Sequence, residues 1–279
     1  MTVGDRTLPV VRLVPTGKRP PLRLSELWDA RELVFFLAQR DVKLRYRQTV
    51  LGAVWVLLQP LLTVLIFSVV FGRLARVSSD GQPYAVFALA GLVPWTFVST
   101  SLATTSLSLV TNASLVGKVW FPRLAVPLAA ALAGLVDLLV GLGLLLVVAV
   151  VRGDLQPLRL LALPLLVVLA LVAVLGPGTY LAAVNVRYRD VRYVVPFLVQ
   201  CLLFVSPVAY PTSLVPHGLR LLYAVNPYVG VVEGFRWALL GGSQPVAGLL
   251  AVSTASSLVL LLLALRSFRA REATFADVL

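Results

Sequence analysis

The sequence is poor in charged residues and in the side chains that build catalytic and metal centres. Only 13% of its 279 residues are charged, whereas soluble proteins average about 25%. It has one cysteine, Cys201, and one histidine, His217. One cysteine excludes an intramolecular disulfide, and one histidine excludes a metal site or catalytic base built on histidines. A membrane-embedded enzyme is therefore a weak interpretation, and we expect no resident cofactor or metal.

A nucleotide-binding loop is also missing. Such a loop follows the pattern G-x-x-x-x-G-K-[ST], but at Gly117-Lys118 the first glycine is replaced by Asn112 and the lysine is followed by Val119. If ATP drives this protein, another polypeptide must bind ATP and Mg²⁺ and hydrolyse the nucleotide. The first 24 residues lack the apolar centre of a secretory signal, so we expect the mature protein to keep them.

Long apolar runs dominate the rest of the chain, with 59% hydrophobic residues and a mean hydropathy of +0.94. At a rise of about 1.5 Å per residue, each run can cross a hydrocarbon core of roughly 30 Å. The runs are 50–71, 84–109, 124–151, 158–184, 194–210 and 246–265. The sequence therefore predicts an all-α integral membrane protein with six transmembrane helices.

Positive charge alternates between the joins of these runs. The stretch before the first run and the joins after the second, fourth and last runs hold most of the Lys and Arg residues, and the net charge is +12. Because positive residues stay on the cytoplasmic side, both termini are predicted to be cytoplasmic. Anionic lipid headgroups explain the charge better than nucleic acid does. We expect a multi-pass protein of the bacterial inner (plasma) membrane.

The chain divides into a flexible cytoplasmic tail (1–24), an amphipathic interface helix (25–48), a six-span domain (49–268) and a second cytoplasmic tail (269–279). In the interface helix, Ser25 is a plausible N-cap and Leu27, Val34 and Leu37 recur at helical spacing. This helix is either a surface anchor or a docking element for a cytoplasmic partner.

The stretch 211–241 is only moderately apolar. A seventh span here would place the C-terminal arginines outside, so we predict a re-entrant helix pair in the outer leaflet between the fifth and sixth spans. Asn226 and Pro227, which lie within this stretch, are expected at an outer gate. Glu233 and Arg236 lie three residues apart, which favours a local ion pair at an outer gate.

Three features inside the spans need separate explanations. Gln59-Pro60 and Gly176-Pro177-Gly178 predict breaks in the first and fourth helices, which are either the breaks common in transporters or purely structural kinks. Asp137 lies in the middle of the third run, where it is either a proton-coupling carboxylate or a protonated or paired structural group. The hydroxyls from Ser99 to Ser108 are expected to bond to helix backbone or to neighbouring helices rather than to act as nucleophiles.

Two joins on the predicted cytoplasmic side have sequence features beyond the positive charge that topology requires. Residues 111–123 predict a short helix that exposes Leu115, Val119 and Phe121 beside Lys118. These apolar groups either insert into a groove on a partner or anchor the turn in the membrane interface. In the second join, 185–192, Asp190 lies among several arginines, which predicts a structured corner.

The chain resembles the ABC-2 type permeases that export polysaccharides and O-antigens. The resemblance covers roughly residues 26–268 and depends on the order of its motifs. These are Arg40 to Arg47, Leu51-Gly52, Trp55, Pro60, Gly91 to Trp95, Lys118 to Arg123, Asn185 to Asp190, Ser206-Pro207-Val208 and Asn226-Pro227.

The resemblance implies a homodimer that rests on two copies of a separate ABC nucleotide-binding subunit. It also implies a glycan substrate, usually carried on an undecaprenyl-type lipid. The residues expected to couple the permease to the ATPase are Arg40, Lys43, Arg45, Asn112, Ser114, Lys118, Trp120, Phe121, Arg123, Arg187, Arg189 and Asp190.

Aromatic rings can stack on the apolar faces of sugars, so the spans hold candidates for a substrate channel. They are Trp55, Phe67, Tyr84, Phe87, Trp95, Phe97, Phe204 and Tyr210; the alternative is that they face lipid. Two other functions stay open at this point. The cargo could be a drug or a small lipid, or the chain could be a proton-coupled carrier that uses Asp137.

Overall fold

The described part of the protein consists of helices and the turns that join them. The computed structural model describes residues 24–47, 54–153, 156–241 and 246–275, and within these ranges there is no β-strand. Outside the described residues lie residues 1–23 of the predicted tail (1–24), the Leu51-Gly52 motif and residues 276–279. The fold class predicted from the sequence, all-α, is confirmed for the described ranges.

Twelve α-helices follow one another along these ranges. They are α1 Leu24–Asp29, α2 Arg31–Tyr46, α3 Val54–Phe67, α4 Tyr84–Thr111, α5 Ala113–Lys118, α6 Ala125–Arg152, α7 Pro157–Leu160, α8 Leu163–Arg187, α9 Val191–Val205, α10 Arg220–Tyr223, α11 Pro227–Leu240 and α12 Val246–Glu272. A π-helical turn, Ser68–Leu74, extends α3. The predicted boundary between the last span and the tail at 268 therefore falls inside α12.

Five helical segments among the described residues are long and apolar enough to cross a membrane. They are Val54–Leu74, Tyr84–Thr111, Ala125–Arg152, Pro157–Arg187 and Ala247–Glu272. The remaining predicted span, 194–210, corresponds to α9, whose 15 residues extend about 22 Å. This helix stops early because Pro207 favours an extended conformation at Ser206, which has φ −107° and ψ 152°.

Helix α4 lies at the centre of the bundle. It packs against α3, α6, α8, α9 and α11. Its most apolar 18-residue stretch is 72% buried, whereas the same measure is 11% to 33% for the other four membrane-spanning segments. Small residues on α4, including Ala88, Ala90 and Gly91, allow these neighbours to approach it closely.

Two apolar clusters divide the bundle into two ends. One joins the end of α4, the start of α6 and the ends of α8 and α12, and includes Leu109, Leu124, Val186 and Phe268. The other joins the start of α4, the end of α6, the start of α8 and α11, and includes Ala88, Leu145, Leu166 and Phe235. We call these the basic end and the α11 end. The joins at the basic end are those that are rich in Lys and Arg.

The predicted breaks at the two proline motifs are wrong. Helix α3 continues through Pro60, and α8 continues through Pro177. The glycines beside Pro177 serve close packing instead. A Cβ at Gly176 would lie 2.9 Å from the Leu261 backbone nitrogen on α12, and one at Gly178 would lie 2.8 Å from Thr105 Cγ2 on α4.

The chain between α9 and α12 leaves and re-enters the bundle at one end. Ser213 donates to Asp80 at the α11 end (2.7 Å). The chain then turns inward through α10 to Asn226, and α11 returns outward until the Leu240 carbonyl accepts from Gln82 (3.5 Å). Two short helices are thus present in the stretch where the sequence predicts a pair.

Candidate functional site

A cleft lies between α2, α3, α4 and α6; most of its lining is apolar, and we call it the polar cleft after the polar side chains on its walls. Its volume is about 400 Å³, and it opens beside an otherwise apolar set of helices. The polar and aromatic residues that line it are Arg45, Tyr46, Trp55, Gln59, Thr96, Phe97, Thr100, Thr104 and Asp137. A cleft with this lining can accept hydrogen bonds and stack on a flat apolar face.

Three threonines of α4 form a stripe along one wall of this cleft. Thr96, Thr100 and Thr104 are four residues apart, so they share one face of the helix. Each hydroxyl donates to the carbonyl four residues earlier, at 2.8, 2.7 and 3.0 Å. Because a hydroxyl oxygen also has acceptor capacity, the stripe can still accept hydrogen bonds from a ligand rich in hydroxyl groups. Most hydroxyls from Ser99 to Ser108 bond to the helix backbone as predicted, but Ser101 and Thr105 have no hydrogen-bond partner among the described residues.

Asp137 is paired with the end of α2. Its carboxylate accepts from the Arg45 guanidinium and from the Tyr46 hydroxyl, and its side chain is 14% exposed. Burial of the Tyr46 ring, together with the hydrogen bond to Asp137, raises the pKa of Tyr46 to about 12, so Tyr46 stays a neutral donor. Of the two interpretations of Asp137, the structure shows the paired group.

The join predicted over 111–123 begins at Asn112, because α4 ends at Thr111, and we call it the 112–123 turn. It combines a fixed base with an exposed tip. Asn112 accepts from Arg40 (2.7 Å), which also pairs with Asp41 (2.8 Å). Lys118, the last residue of α5, and Trp120, which follows it, face outward, and Trp120 is 83% exposed. An indole this exposed contributes little packing within the subunit. Ser114 and Lys43 are also exposed.

The predicted exposure of Phe121 is wrong. Phe121 is only 9% exposed because it packs into the apolar cluster of the basic end. Arg123 is likewise used within the subunit, since its guanidinium donates to the Glu272 carbonyl and its backbone nitrogen donates to Glu272 Oε1 (3.2 Å). Of the three apolar residues expected on the surface here, Val119 is exposed and Leu115 is half-buried.

The second basic join is a tight corner between α8 and α9. Backbone bonds from Val191 to Tyr188 (3.3 Å) and from Tyr193 to Asp190 (2.9 Å) close the turn. Arg187, Arg189 and Asp190 are all exposed, and within the described ranges no ion pair joins Asp190 to an arginine. The corner is therefore structured by its backbone and leaves its positive charges accessible.

A buried guanidinium organises the α11 end. Arg236 pairs with Glu233 (3.0 Å), as the spacing predicts, and donates to the carbonyls of Pro207 and Val208. It also stacks on the Phe87 ring, with Cζ 3.7 Å from the ring centroid. Arg236 thereby ties the irregular segment after α9 to both α4 and α11.

Two further side chains hold the same segment. Asn226 accepts from the Tyr228 backbone nitrogen (3.1 Å) and caps α11, while its amide donates to Ser206 (3.0 Å). Pro227 occupies the first turn of α11, where its missing donor costs nothing. Tyr84 donates to the Ala209 carbonyl (2.7 Å). Of the four residues expected at an outer gate, Asn226 and Arg236 bond directly to the segment 206–208, Glu233 pairs with Arg236, and Pro227 begins α11.

The eight candidate channel aromatics are not brought together. Trp55 and Phe97 line the polar cleft. In this conformation Phe87 and Trp95 face the interior, where Phe87 lies under Arg236 and Trp95 packs against Tyr228. The remaining four are dispersed: Phe67 stacks on Phe71, Tyr84 and Tyr210 bond to backbone carbonyls, and Phe204 is exposed.

Several residues of the cleft were absent from the sequence-based set. Tyr46 and Thr96 carried no individual signal, although the spacing of the three threonines does place them on one helix face. The Arg45–Asp137 pair joins residues 92 positions apart, and no local pattern in the sequence indicates it.

These features define a multi-pass, all-helical membrane protein with a polar cleft in its bundle and exposed cationic joins at one end. The chain belongs to the ABC-2 type transporter family, because residues 32–240 match the family model with that description.

Curated relatives extend the match over nearly the whole chain. The chain is 31% identical over 256 residues to the O-antigen export system permease protein RfbA of Myxococcus xanthus, which covers 91% of this chain and 98% of that protein. It is 23% identical over 249 residues to the O-antigen export system permease protein RfbA of Klebsiella pneumoniae, covering 89% of this chain and 95% of the relative. It is 26% identical over 235 residues to the polysialic acid transport protein KpsM of Escherichia coli, covering 84% and 91%.

Proposed function

We propose that this chain is the transmembrane permease subunit of an ABC exporter that moves a polysaccharide or lipid-linked glycan out of the cytoplasm. The similarity to an O-antigen export permease over 98% of that protein's length carries the proposal. The polar cleft supports it, since threonine hydroxyls and a tryptophan ring suit a polymer of hydroxyl groups with apolar faces.

The basic end faces the cytoplasm of a bacterial inner membrane, with both termini on that side. The sidedness follows from the Lys and Arg residues of its joins. In this placement α9 and the segment after it serve as the shortened fifth of six spans. Helices α10 and α11 dip into the outer leaflet, and α2 is an interface helix whose end reaches Asp137.

The permease works as a homodimer with two copies of a cytoplasmic ABC nucleotide-binding subunit. One chain forms a cleft that is open on one side, and a second copy closes it into a path for an undecaprenyl-type lipid-linked glycan. ATP and Mg²⁺ are bound by the partner subunit, because this sequence has no phosphate-binding loop.

The exposed tip of the 112–123 turn makes the contact with the ATPase. Trp120 offers a large apolar anchor, a residue type that is enriched at the centres of protein interfaces, and Lys118 places a cation beside it. Arg187 and Arg189 of the second corner add positive charge, and Arg40 and Asn112 fix the base of the turn.

The test is to purify the chain together with a tagged ATPase that a neighbouring gene encodes. We expect the complex to hold a bound glycolipid that mass analysis identifies, and its ATPase rate to exceed that of the isolated ATPase. Trp120→Ala and Lys118→Glu should each lower this stimulation and leave membrane insertion unchanged. Unchanged stimulation in both variants would contradict the docking role.

The bound molecule also separates the proposal from its alternatives. A drug or small lipid in place of a glycan would keep the ABC-2 architecture and change the cargo. Uptake by the purified chain alone under a pH gradient, lost in Asp137→Asn, would identify a proton-coupled carrier. The ion pair between Asp137 and Arg45 disfavours that carrier, because it uses the carboxylate as a structural contact between α2 and α6.

A further inference from the structure

The last described residues of the chain pack beneath the 112–123 turn. Phe275 is 1% exposed and Phe268 is fully buried. Their rings meet edge to face with centroids 5.2 Å apart. Both belong to the same apolar cluster as Phe121 and Val116 of the turn. The segment predicted as a tail therefore forms part of the core of the basic end.

A polar frame surrounds this aromatic contact. Glu272 accepts from the Arg123 backbone nitrogen through Oε1 (3.2 Å) and from Arg269 through Oε2 (2.9 Å). The Arg123 guanidinium donates to the Glu272 carbonyl at the end of α12. Arg269 also reaches Glu26 of α1, at 3.7 Å. One carboxylate thus connects the turn to the C-terminal end of α12.

The turn needs this support from outside itself. Helix α5 has six residues, and a helix this short is not stable on its own in water. Its outward tip, Val119-Trp120, makes little contact with the subunit. The direction in which Trp120 points is therefore set by the residues packed behind it, which are Phe121, Arg123 and their C-terminal partners.

We propose that the segment Arg269–Phe275 is a positioning element for the ATPase-docking turn, which it holds at the angle that presents Lys118 and Trp120 to the partner. This inference rests on the proposed function, since it assumes that the partner docks on this tip. It assigns Glu272 and Phe275 a role in coupling that acts through the turn, since Phe275 is buried within the subunit and Glu272 bonds to Arg123.

The test compares Phe275→Ala with Phe197→Ala in the complex with the ATPase. Phe197 is 69% exposed on α9, so its truncation is the same chemical change without loss of packing. Phe275→Ala should lower ATPase stimulation several-fold, Phe275→Leu should retain most of it, and Phe197→Ala should leave it unchanged. Trp120→Ala in the same series reports whether the tip itself docks.

A second measurement reads the position of the turn directly. A photoreactive group is attached to Lys118→Cys in a Cys201→Ser background, which removes the native thiol. The yield of ATPase adduct is measured per chain inserted in the membrane, so a lower expression level does not affect it. We expect Phe275→Ala to lower this yield several-fold and Phe197→Ala to leave it unchanged.

The outcomes separate the two proposals. If Trp120→Ala lowers stimulation and Phe275→Ala changes neither stimulation nor adduct yield, the positioning role is overturned and the proposed function stands. If neither variant has an effect, the docking turn is misassigned, and the positioning role falls with it. A loss in Phe275→Ala that Phe275→Leu restores supports the inference.

Discussion

The role of Asp137, a charged residue inside a span, depends on the residues that it contacts. An unpaired carboxylate at this depth costs about 2.5–3.5 kcal/mol on insertion scales. Arg45 and Tyr46 offset that cost by donating to both carboxylate oxygens. The same pair fastens the end of α2 to the middle of α6. At the scale of the residue, the acid is a structural link between two helices.

Gly91 is required by the Arg236 network at the α11 end. A Cβ at position 91 would lie 2.5 Å from Arg236 Nη2 and 3.0 Å from the Val208 carbonyl oxygen. Gly91→Ala must therefore displace the guanidinium from a carbonyl that it holds. We expect a loss of about 1–3 kcal/mol in stability, measured as a lower unfolding temperature of the purified protein.

The matched control is Gly143→Ala on α6. A Cβ at position 143 would have no atom of the described residues within 4 Å, so the substitution adds a methyl group without a clash. Alanine also favours helix over glycine, and the variant should be neutral or slightly more stable. Equal effects of the two substitutions would contradict the role assigned to Gly91.

At the scale of the element, α4 serves two purposes at once. Most of its surface is buried against five other helices, and the remaining face carries the stripe of Thr96, Thr100 and Thr104. A helix fixed by its neighbours holds these hydroxyls at constant spacing. This arrangement suits a surface along which a long polymer slides.

Replacing the three threonines together by valine tests this stripe. Valine has nearly the same shape as threonine but cannot accept a hydrogen bond. We expect lower glycan export in cells, with unchanged insertion and assembly, because the cleft loses its acceptors and keeps its form. Thr111→Val is the control, since Thr111 bonds to its own helix backbone (2.9 Å) but does not line the cleft. Unaltered export in the triple variant would contradict a role for the stripe in transport.

At the scale of the whole molecule, the two ends of the bundle differ in charge and in chemistry. The basic end carries the exposed Lys and Arg residues of its two joins, and the α11 end carries a buried polar network around Arg236. The proposed orientation assigns the first to the cytoplasm.

Cysteine labelling of intact cells tests that orientation. In a Cys201→Ser background, Lys118→Cys and Arg189→Cys should resist a membrane-impermeant thiol reagent until the cells are opened. Leu214→Cys, at an exposed position of the α11 end, should react in intact cells. The reverse pattern would invert the protein and make docking of an intracellular ATPase at the 112–123 turn impossible.

Local patterns in the sequence predicted more of the fold than of the site. The ion pair of Glu233 and Arg236 was predictable because three residues on a helix bring side chains together. The burial of Phe121 was not predictable, because the apolar cluster that it joins includes Phe268 and Phe275, which lie about 150 positions away. The early end of α9 also escaped prediction, since the apolar run continues past Ser206-Pro207.

Apolar run length and the distribution of Lys and Arg were sufficient to determine that this is a polytopic helical membrane protein. Both act locally, through the transfer of each segment into lipid and the retention of charge on one side. The tertiary structure alone decided which groups meet. Asp137 contacts Arg45, and Arg123 contacts Glu272, because helices that are distant in sequence pack side by side. A contact of that kind depends on distances in space that no local pattern encodes.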